Sequence, residues 1–526
     1  MEFFLATENV IPGMEGDEWF AAGGCVAPEM SPASPRKATV GFVLWDSLLC
    51  GVYGAQGMST GFKRVPCHWV YRWRNPKCNG VLPPGSMGLP IIGETIQYFT
   101  PYASDDVPPF VQKRVARYGP IFRTSIVGQP IVVSTDADVN YRVFQQEGNA
   151  FQIWYTESLF QIIGKQSVVA HHGDFHKYLK SLTFKFVSPE ALRERLIYEM
   201  DDSTQESLSS WSKLGKLDAR DGTAELVFKY AAKKMLGYDE SRDRQKLRDS
   251  YKAFMDGLIS FPLNIPGTPF HACLQGRKKA MKVIHDIFEK KRSGNNGATN
   301  DYDFADHLLE EIKKEDTFLN EEIARDLVFL FLFAAHETTS TSLTVALRYL
   351  NTHPRVMAEL KREHENILEK REAKDSGVSW KEYKSMTFTH MVINETVRLA
   401  NIAPGILRKV VKEVDVKGYT IPAGWTIMVC APAVHLDPNL YENPLEFNPW
   451  RWEGKELHVG SKSFMAFAGG TRLCVGADYA KVQMSLFLHY LVTQYTWRVL
   501  PGAERIRTPT GIQFPKGLPI EISKNK

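Results

Sequence analysis

Residues 467–476 read Phe-Ala-Gly-Gly-Thr-Arg-Leu-Cys-Val-Gly, and a helical pattern, ADYAKVQMSLFLHYLV (477–492), follows at once. Glycines ahead of a cysteine let the backbone curl until amide N–H groups can point at sulfur. Such donors, with the N-terminus of the coming helix, stabilise a thiolate at Cys474. Arg472, two residues earlier, is a cation suited to an anionic group beside the sulfur. Phe467 shields that sulfur from water. The competing reading of the same stretch is a Gly-rich loop with an ordinary buried cysteine.

The bulk numbers narrow the class. The chain has 526 residues, 44% hydrophobic and 24% charged, with 11 Trp and 30 Phe. That is enough apolar material for a large core with room for a greasy cavity. A net charge of +4 and the lack of a basic run exclude nucleic acid as an implied partner. The cysteines stand at 25, 50, 67, 78, 273, 430 and 474, with no Cys-x-x-Cys pair and an odd count. Neither a zinc site nor a disulfide framework is suggested, so the thiols read as reduced, in a chain facing the cytosol.

Residues 1–37 mix acidic, Gly and Pro residues without the basic-then-apolar order of a signal peptide. The membrane candidate is Ala38–Ala55 (ATVGFVLWDSLLCGVYGA), barely long enough to span and carrying Asp46 near its centre. Lys63, Arg64, Arg72, Arg74 and Lys77 follow it and favour a cytosolic location for the rest. The stiff segment Leu82–Pro90 then separates a tail, residues 1–80, from a main domain, residues 81–526. Val107–Tyr118 is amphipathic, and residues 121–136 (IFRTSIVGQPIVVSTD) alternate like a β-hairpin turning at Gly128. From about 138 to 410 the pattern is helical, with one break at Arg292–Asp301. After 413, VDVKGYTIPAGWTIMVC reads as two β runs. The expected fold is one large, mainly α domain with small β-sheets.

Two more elements carry costly polar groups. Glu395-Thr396-Val397-Arg398 lies in the apolar helical run MVINETVRLAN. Glu-x-x-Arg recurs at Glu190, Glu322, Glu359 and Glu504, because such pairs are ordinary helix-surface salt bridges. Context separates Glu395: Phe447-Asn448-Pro449-Trp450-Arg451-Trp452 falls between it and Cys474. The second element, Ala334-Ala335-His336-Glu337-Thr338-Thr339, sits inside DLVFLFLFAAHETTSTSLTVALRYL, a helix apolar enough to be central. The bland account of Thr338 is a bond back to the preceding turn.

Phe-x-x-Gly-x-Arg-x-Cys-x-Gly resembles the haem-binding signature of the cytochromes P450, and every fixed position matches. The resemblance runs from about residue 70 to the C-terminus. It implies haem b with Cys474 as axial thiolate to the iron, cradled by Phe467, Gly470, Arg472 and Gly476. Arg408, in GILRKVV, matches a propionate contact. His176 and Lys180 stand where a Trp and an Arg more often supply a cation to a propionate. Ala468 replaces the usual Gly. Glu395 and Arg398, with Arg451, are implied to form a buried charged triad beneath the haem. Thr338 would steady dioxygen, and Glu337 would relay the protons that O–O cleavage needs. Ala335 stands where Gly is commoner and narrows the oxygen groove, while His336 points away as a bystander.

The implied reaction places one oxygen of O2 in a C–H bond of a hydrophobic substrate. Electrons come from NADPH through the membrane-bound NADPH–cytochrome P450 reductase, since the chain has no dinucleotide motif of its own. The implied location is the endoplasmic reticulum membrane, with the catalytic domain facing the cytosol. Lys177, Lys180, Lys185 and Lys481 offer a basic docking face. WRNPKCNGVLPPGSMGLPIIGE, PLNIPGTPFHACLQGRKKA, TFTHMVINETVRLANIAPGILRK and FNPWRWEGKE resemble a plant branch that oxidises sterols, brassinosteroids and triterpenes. Leu330, Phe333, Ala334, Ala403, Ile406 and Ile512 are the candidate substrate contacts. Two rivals share the fold: a haem isomerase or dehydratase, which tends to lose the acid–Thr pair, and a non-catalytic haem or steroid binder.

Overall fold

The computed structural model describes residues 71, 73–239, 246–258, 260–294, 302–373, 376–455, 459–509 and 511–525. The segment 38–55 and the tail around it lie outside these residues. A compact unit runs from Lys77 to Lys526. No helix among the described residues is long and apolar enough to cross a membrane.

The longer helices, in chain order, are α1 (Pro109–Tyr118), α2 (Ala137–Gln145), α3 (Gly173–Phe186) and α4 (Ile197–Leu214). There follow α5 (Ala219–Leu236), α6 (Leu247–Gly257), α7 (Pro269–Arg292) and α8 (Phe304–Ile312). The last are α9 (Glu321–Thr352), α10 (Pro354–Lys370), α11 (Thr387–Ala400) and α12 (Ala477–Gln494). Strands β1 (Ile121–Ile126), β2 (Gln129–Ser134), β3 (Phe151–Ile153), β5 (Gly405–Val410) and β8 (Thr426–Cys430) form one sheet. Its order is β1-β2-β8-β5-β3, parallel only between β2 and β8. Three smaller sheets pair β12 (Pro519–Lys524) with both β4 (Lys216–Asp218) and β9 (Tyr495–Val499), β6 (Val414–Val416) with β7 (Tyr419–Ile421), and β10 (Ile506–Thr508) with β11 (Gly511–Gln513).

Local chemistry sets the ends of these elements. The helix expected from Val107 starts at Pro109, because a proline ring is tolerated in the first turn but clashes further inside. The hairpin at Gly128 turns through Val127 (φ 51°) and Gly128 (φ 73°), so both central residues are left-handed. That twist matches the flanking strands. In α9 the Asn320 side chain accepts from the Ile323 N–H, and Glu321 and Glu322 face the positive end of the helix dipole. With no polar face of its own, α9 is buried for most of its length and packs on α5, α7, α11 and α12.

Two sequence expectations change. The break expected at Arg292–Asp301 lies largely outside the described residues, but β3, β4 and the non-helical stretch 260–268 interrupt the run expected to be helical. Phe151–Ile153 is extended because β5 offers its backbone a distant ladder, a partner that local pattern does not reveal. The two β runs after 413 become three strands, with β6 and β7 a hairpin apart and only β8 entering the main sheet.

Candidate active site

The loop before α12 is tightly wound. Cys474 N donates to Phe467 O at 3.0 Å and Leu473 N to Gly470 O at 3.1 Å. Gly470 has φ 61°, and a Cβ there would lie 2.1 Å from the Phe144 carbonyl at the end of α2. Only glycine meets both demands. Ala468, at the position that departs from the signature, is also left-handed, with φ 60°. Gly476 is the N-cap of α12. Lys180 on α3 reaches the Thr471 carbonyl at 2.8 Å, and Lys481 lies 5.8 Å from the Phe467 ring.

Cys474 is reachable by solvent yet surrounded by protein. Burial pushes its thiol up, while the Gly476 backbone and Lys180 pull the other way. A metal bonded to the sulfur would deprotonate it.

Arg408 on β5 and Arg472 in the loop converge on one residue that the sequence did not single out. Glu147 pairs with Arg408 Nε at 2.7 Å and with Arg472 Nε at 3.2 Å, and all three side chains are almost fully buried. Arg472 also donates to the His171 carbonyl at 2.6 Å. Two guanidinium groups share one carboxylate, which leaves a positive charge facing the interior. That surplus and the nearby thiol fit a haem: sulfur suits the iron, and guanidinium suits a propionate. His176 does not add to the charge. Burial, helped by Arg472 and Lys180, lowers it to about 4, so it is neutral at pH 7. Lys180 is left as the cation of α3 that reaches the Cys474 loop.

The structure brings Glu395, Arg398 and Arg451 together. Arg398 grips Glu395 with two bonds, Nε to Oε2 at 2.9 Å and Nη2 to Oε1 at 2.8 Å. Arg451 Nε adds 2.8 Å to Oε1, and Trp452 Nε1 adds 3.0 Å to Oε2. Asn448 N completes the set at 3.1 Å. Arg398 spends Nη1 on the carbonyls of His435 and Pro444, at 2.6 and 2.8 Å. A fully buried carboxylate is tolerable on these terms, with every lone pair used. Trp452 and Asn448 belong to the motif already quoted, but only folding shows their reach.

On α9, Leu330, Ala334 and Thr338 recur every four residues and share a face. Leu330 is buried, whereas Ala334 and Thr338 are exposed in the middle of an otherwise buried helix. The Thr338 hydroxyl donates to the Ala334 carbonyl at 2.8 Å, so the bland account of its bonding holds for its proton. Its oxygen keeps lone pairs to accept with. Glu337 Oε1 accepts from Arg220 Nη2 on α5 at 2.7 Å, a partner the sequence did not suggest. His336 turns to the opposite side, with its ring 5.3 Å from that of Phe228.

The remaining candidates are spread over three segments. Phe333 packs on Phe254 of α6 with ring centroids 5.4 Å apart. Ile406 is partly buried on β5, and Ala403 is exposed beside it. Ile512 lies on β11, whose Gly511 approaches Ile402 so closely that a Cβ would sit 2.9 Å from that carbonyl. Ala403 and Ile512 thus occupy adjoining segments.

Residues 83–518 match the family described as Cytochrome P450. The chain belongs to that family. Its relatives include cytochrome P450 87A3 of Oryza sativa subsp. japonica, 50% identical over 86% of this chain and 88% of the relative. Another is the cucurbitadienol 11-hydroxylase of Siraitia grosvenorii, 42% identical over 89% of this chain and 98% of the relative. The retinoic acid-bound cyanobacterial CYP120A1 superposes with a TM-score of 0.75 at 25% identity, covering 85% of this chain and 100% of that one. As a cytochrome P450 the protein is a haem-containing monooxygenase with the mainly α fold of that family.

Proposed function

We propose that this cytochrome P450 hydroxylates a C–H bond of a plant triterpenoid or sterol, with Cys474 as the thiolate that would hold its haem iron. The observation that carries the reading is the convergence of the Cys474 loop with Arg408 and Arg472, two cations on one carboxylate. The 42% identity to a cucurbitadienol 11-hydroxylase supports a polycyclic substrate. The accessible, uncharged face of Ala334 and Thr338 supports it too. Bound haem would supply the redox chemistry of O2. Arg408, Arg472 and Lys180 would anchor its carboxylates, Thr338 would accept or pass a hydrogen bond, and Glu337 would carry protons inward.

Electrons would come from NADPH through a separate reductase. Lys180 and Lys481 flank the Cys474 loop and would meet an acidic partner there, joined by the exposed Lys177 and Lys185. The segment 38–55 supports attachment to the endoplasmic reticulum membrane with the catalytic unit on the cytosolic side.

The test is the carbon monoxide difference spectrum of the reduced protein beside Cys474→Ala and Cys474→His. A Soret band in the thiolate position, lost in the first variant and moved to the imidazole position in the second, is expected. Turnover of cucurbitadienol, other triterpenes or sterols should then require both NADPH and reductase. An imidazole-type or neutral-ligand spectrum in haem-loaded wild type would sink the ligand assignment. Turnover without NADPH would point to an isomerase, and none with any substrate to a binding protein.

A further inference from the structure

The last turn of α11 ends in carbonyls that have no partner inside the helix, and a side chain from β10 takes two of them. Arg507 Nη1 donates to the Ala400 carbonyl at 3.0 Å, and Nη2 donates to the Leu399 carbonyl at 2.9 Å. Its cationic head thus sits at the negative end of the α11 dipole. The helix closes at Asn401, which is left-handed (φ 48°) and hydrogen-bonded through its side chain to His435 Nδ1 at 2.7 Å. Ile402 and Ala403 then begin the run into β5, and Ala403 is the exposed one of the two.

Arg507 is fixed from two more sides. Its backbone exchanges bonds with Tyr102, Tyr102 N to Arg507 O at 3.0 Å and Arg507 N to Tyr102 O at 2.8 Å. Asp105 Oδ1 accepts from Nη2 at 3.2 Å, while Arg505 takes the other Asp105 oxygen. The Arg507 side chain is only 5% exposed, so a planar fork held on several sides joins these elements. In the ladder of β10 and β11 the residue directly opposite Arg507 is Ile512. One position before Ile512, Gly511 (φ 119°) approaches the Ile402 carbonyl so closely that a Cβ would lie 2.9 Å from it.

One guanidinium therefore ties together two segments that are far apart in the chain. Its head holds the carbonyls just before Ala403, and its backbone faces Ile512 across the ladder. Asn401 already ends the helix, as a left-handed residue there commonly does, so Arg507 is not needed as a stop. What it adds is a fixed distance. We propose that Arg507 is a positioning residue for substrate: it sets the spacing between the Ala403 segment and Ile512, and so how a bulky apolar ligand is held between them. This rests on the substrate contacts of the functional reading. A pre-ordered surface binds more tightly because less freedom is lost on binding. Loosening the fork lets hairpin and loop part and weakens a bulky ligand, whereas a ligand too small to touch either segment is unaffected.

The experiment compares haem-loaded wild type with Arg507→Lys, Asp105→Asn and Gly511→Ala, each first checked for the carbon monoxide spectrum of wild type. Two nitrogen ligands of very different size, imidazole and N-tritylimidazole, are titrated and followed by the shift of the Soret band. Arg507→Lys, which keeps the charge but loses the fork, should weaken N-tritylimidazole several-fold and leave imidazole unchanged. Asp105→Asn frees the guanidinium on one side only and should do the same by less. It stands in should Arg507→Lys not take up haem. Gly511→Ala pushes on the Ile402 carbonyl from the other side and should give the same size-dependent loss with Arg507 intact. An affinity for N-tritylimidazole no weaker than wild type in Arg507→Lys, or in Asp105→Asn where it stands in, would overturn the proposal. So would equal weakening of both ligands, which marks a general loss of structure. A wild type that binds neither ligand, or lacks a thiolate-type spectrum, fails earlier, and that failure belongs to the functional reading.

Discussion

Glu147, in the turn between α2 and β3, and Arg408 on β5 form a buried ion pair, Oε2 to Nε at 2.7 Å, although they are far apart in the chain. Arg472 shares the same carboxylate. Replacing Glu147 by Gln leaves two guanidinium groups in a low-dielectric site with no counter-charge. Breaking a buried pair from one side costs on the order of 3 kcal/mol. The haem-free protein should lose that much in urea unfolding, and the haem-loaded protein much less, since propionates would replace the lost charge. Equal losses in the two forms would mean that no anion binds there.

Ala468 and Gly470 make an opposed pair. Both are left-handed, with φ 60° and 61°, but Ala468 carries a Cβ that this conformation disfavours. Ala468→Gly should stabilise the protein by about 0.5–1 kcal/mol after the entropy of the unfolded chain is counted. Gly470→Ala adds a Cβ only 2.1 Å from the Phe144 carbonyl and should cost about 3 kcal/mol. Denaturant midpoints check both, and a destabilised Ala468→Gly would show that the loop relaxes.

The Glu395 cluster predicts a folding phenotype. Glu395→Gln strands Arg398 and Arg451, both inside the protein. The cost should be about 3–5 kcal/mol. Expression as haem-loaded soluble protein should collapse, with no specific change in substrate preference. A well-folded variant of normal stability would mean that the backbone carbonyls around Arg398 suffice.

Several buried histidines fix the response to acid. Burial is the largest cause in each case. It lowers His336, His435 and His489 to about 3 and His390 to about 4, from an ordinary 6.5. In His435 the geometry shows why: Nε2 accepts from Met465 N at 3.0 Å, so a proton there would displace a backbone bond. Below pH 6.5 the unfolded chain binds protons that the folded chain refuses, so stability must fall as pH falls. The urea midpoint should therefore drop steadily from pH 7 to pH 5. A midpoint that holds or rises over that range would contradict the burial of these rings.

What the sequence alone decided was the chemistry and its supports. Cys474 with its glycines and Arg472 is a local pattern, complete within a few residues. Its meaning therefore did not depend on where the rest of the chain went. Glu395, Arg398, Glu337 and Thr338 were legible as polar residues in apolar helices, where only a function or a partner makes them tolerable. Their partners were another matter. Glu147 lies in QQEGN and Arg220 in DARDG, stretches that read as ordinary surface, and nothing local marks either for a buried pair. Tertiary structure brings Glu147 to Arg408 by pairing β3 with β5, and Arg220 to Glu337 by laying α5 along α9. It also decided that His176 stays neutral beside Arg472 and Lys180. Charge and desolvation depend on everything packed around a group, and that sum exists only once the chain has folded.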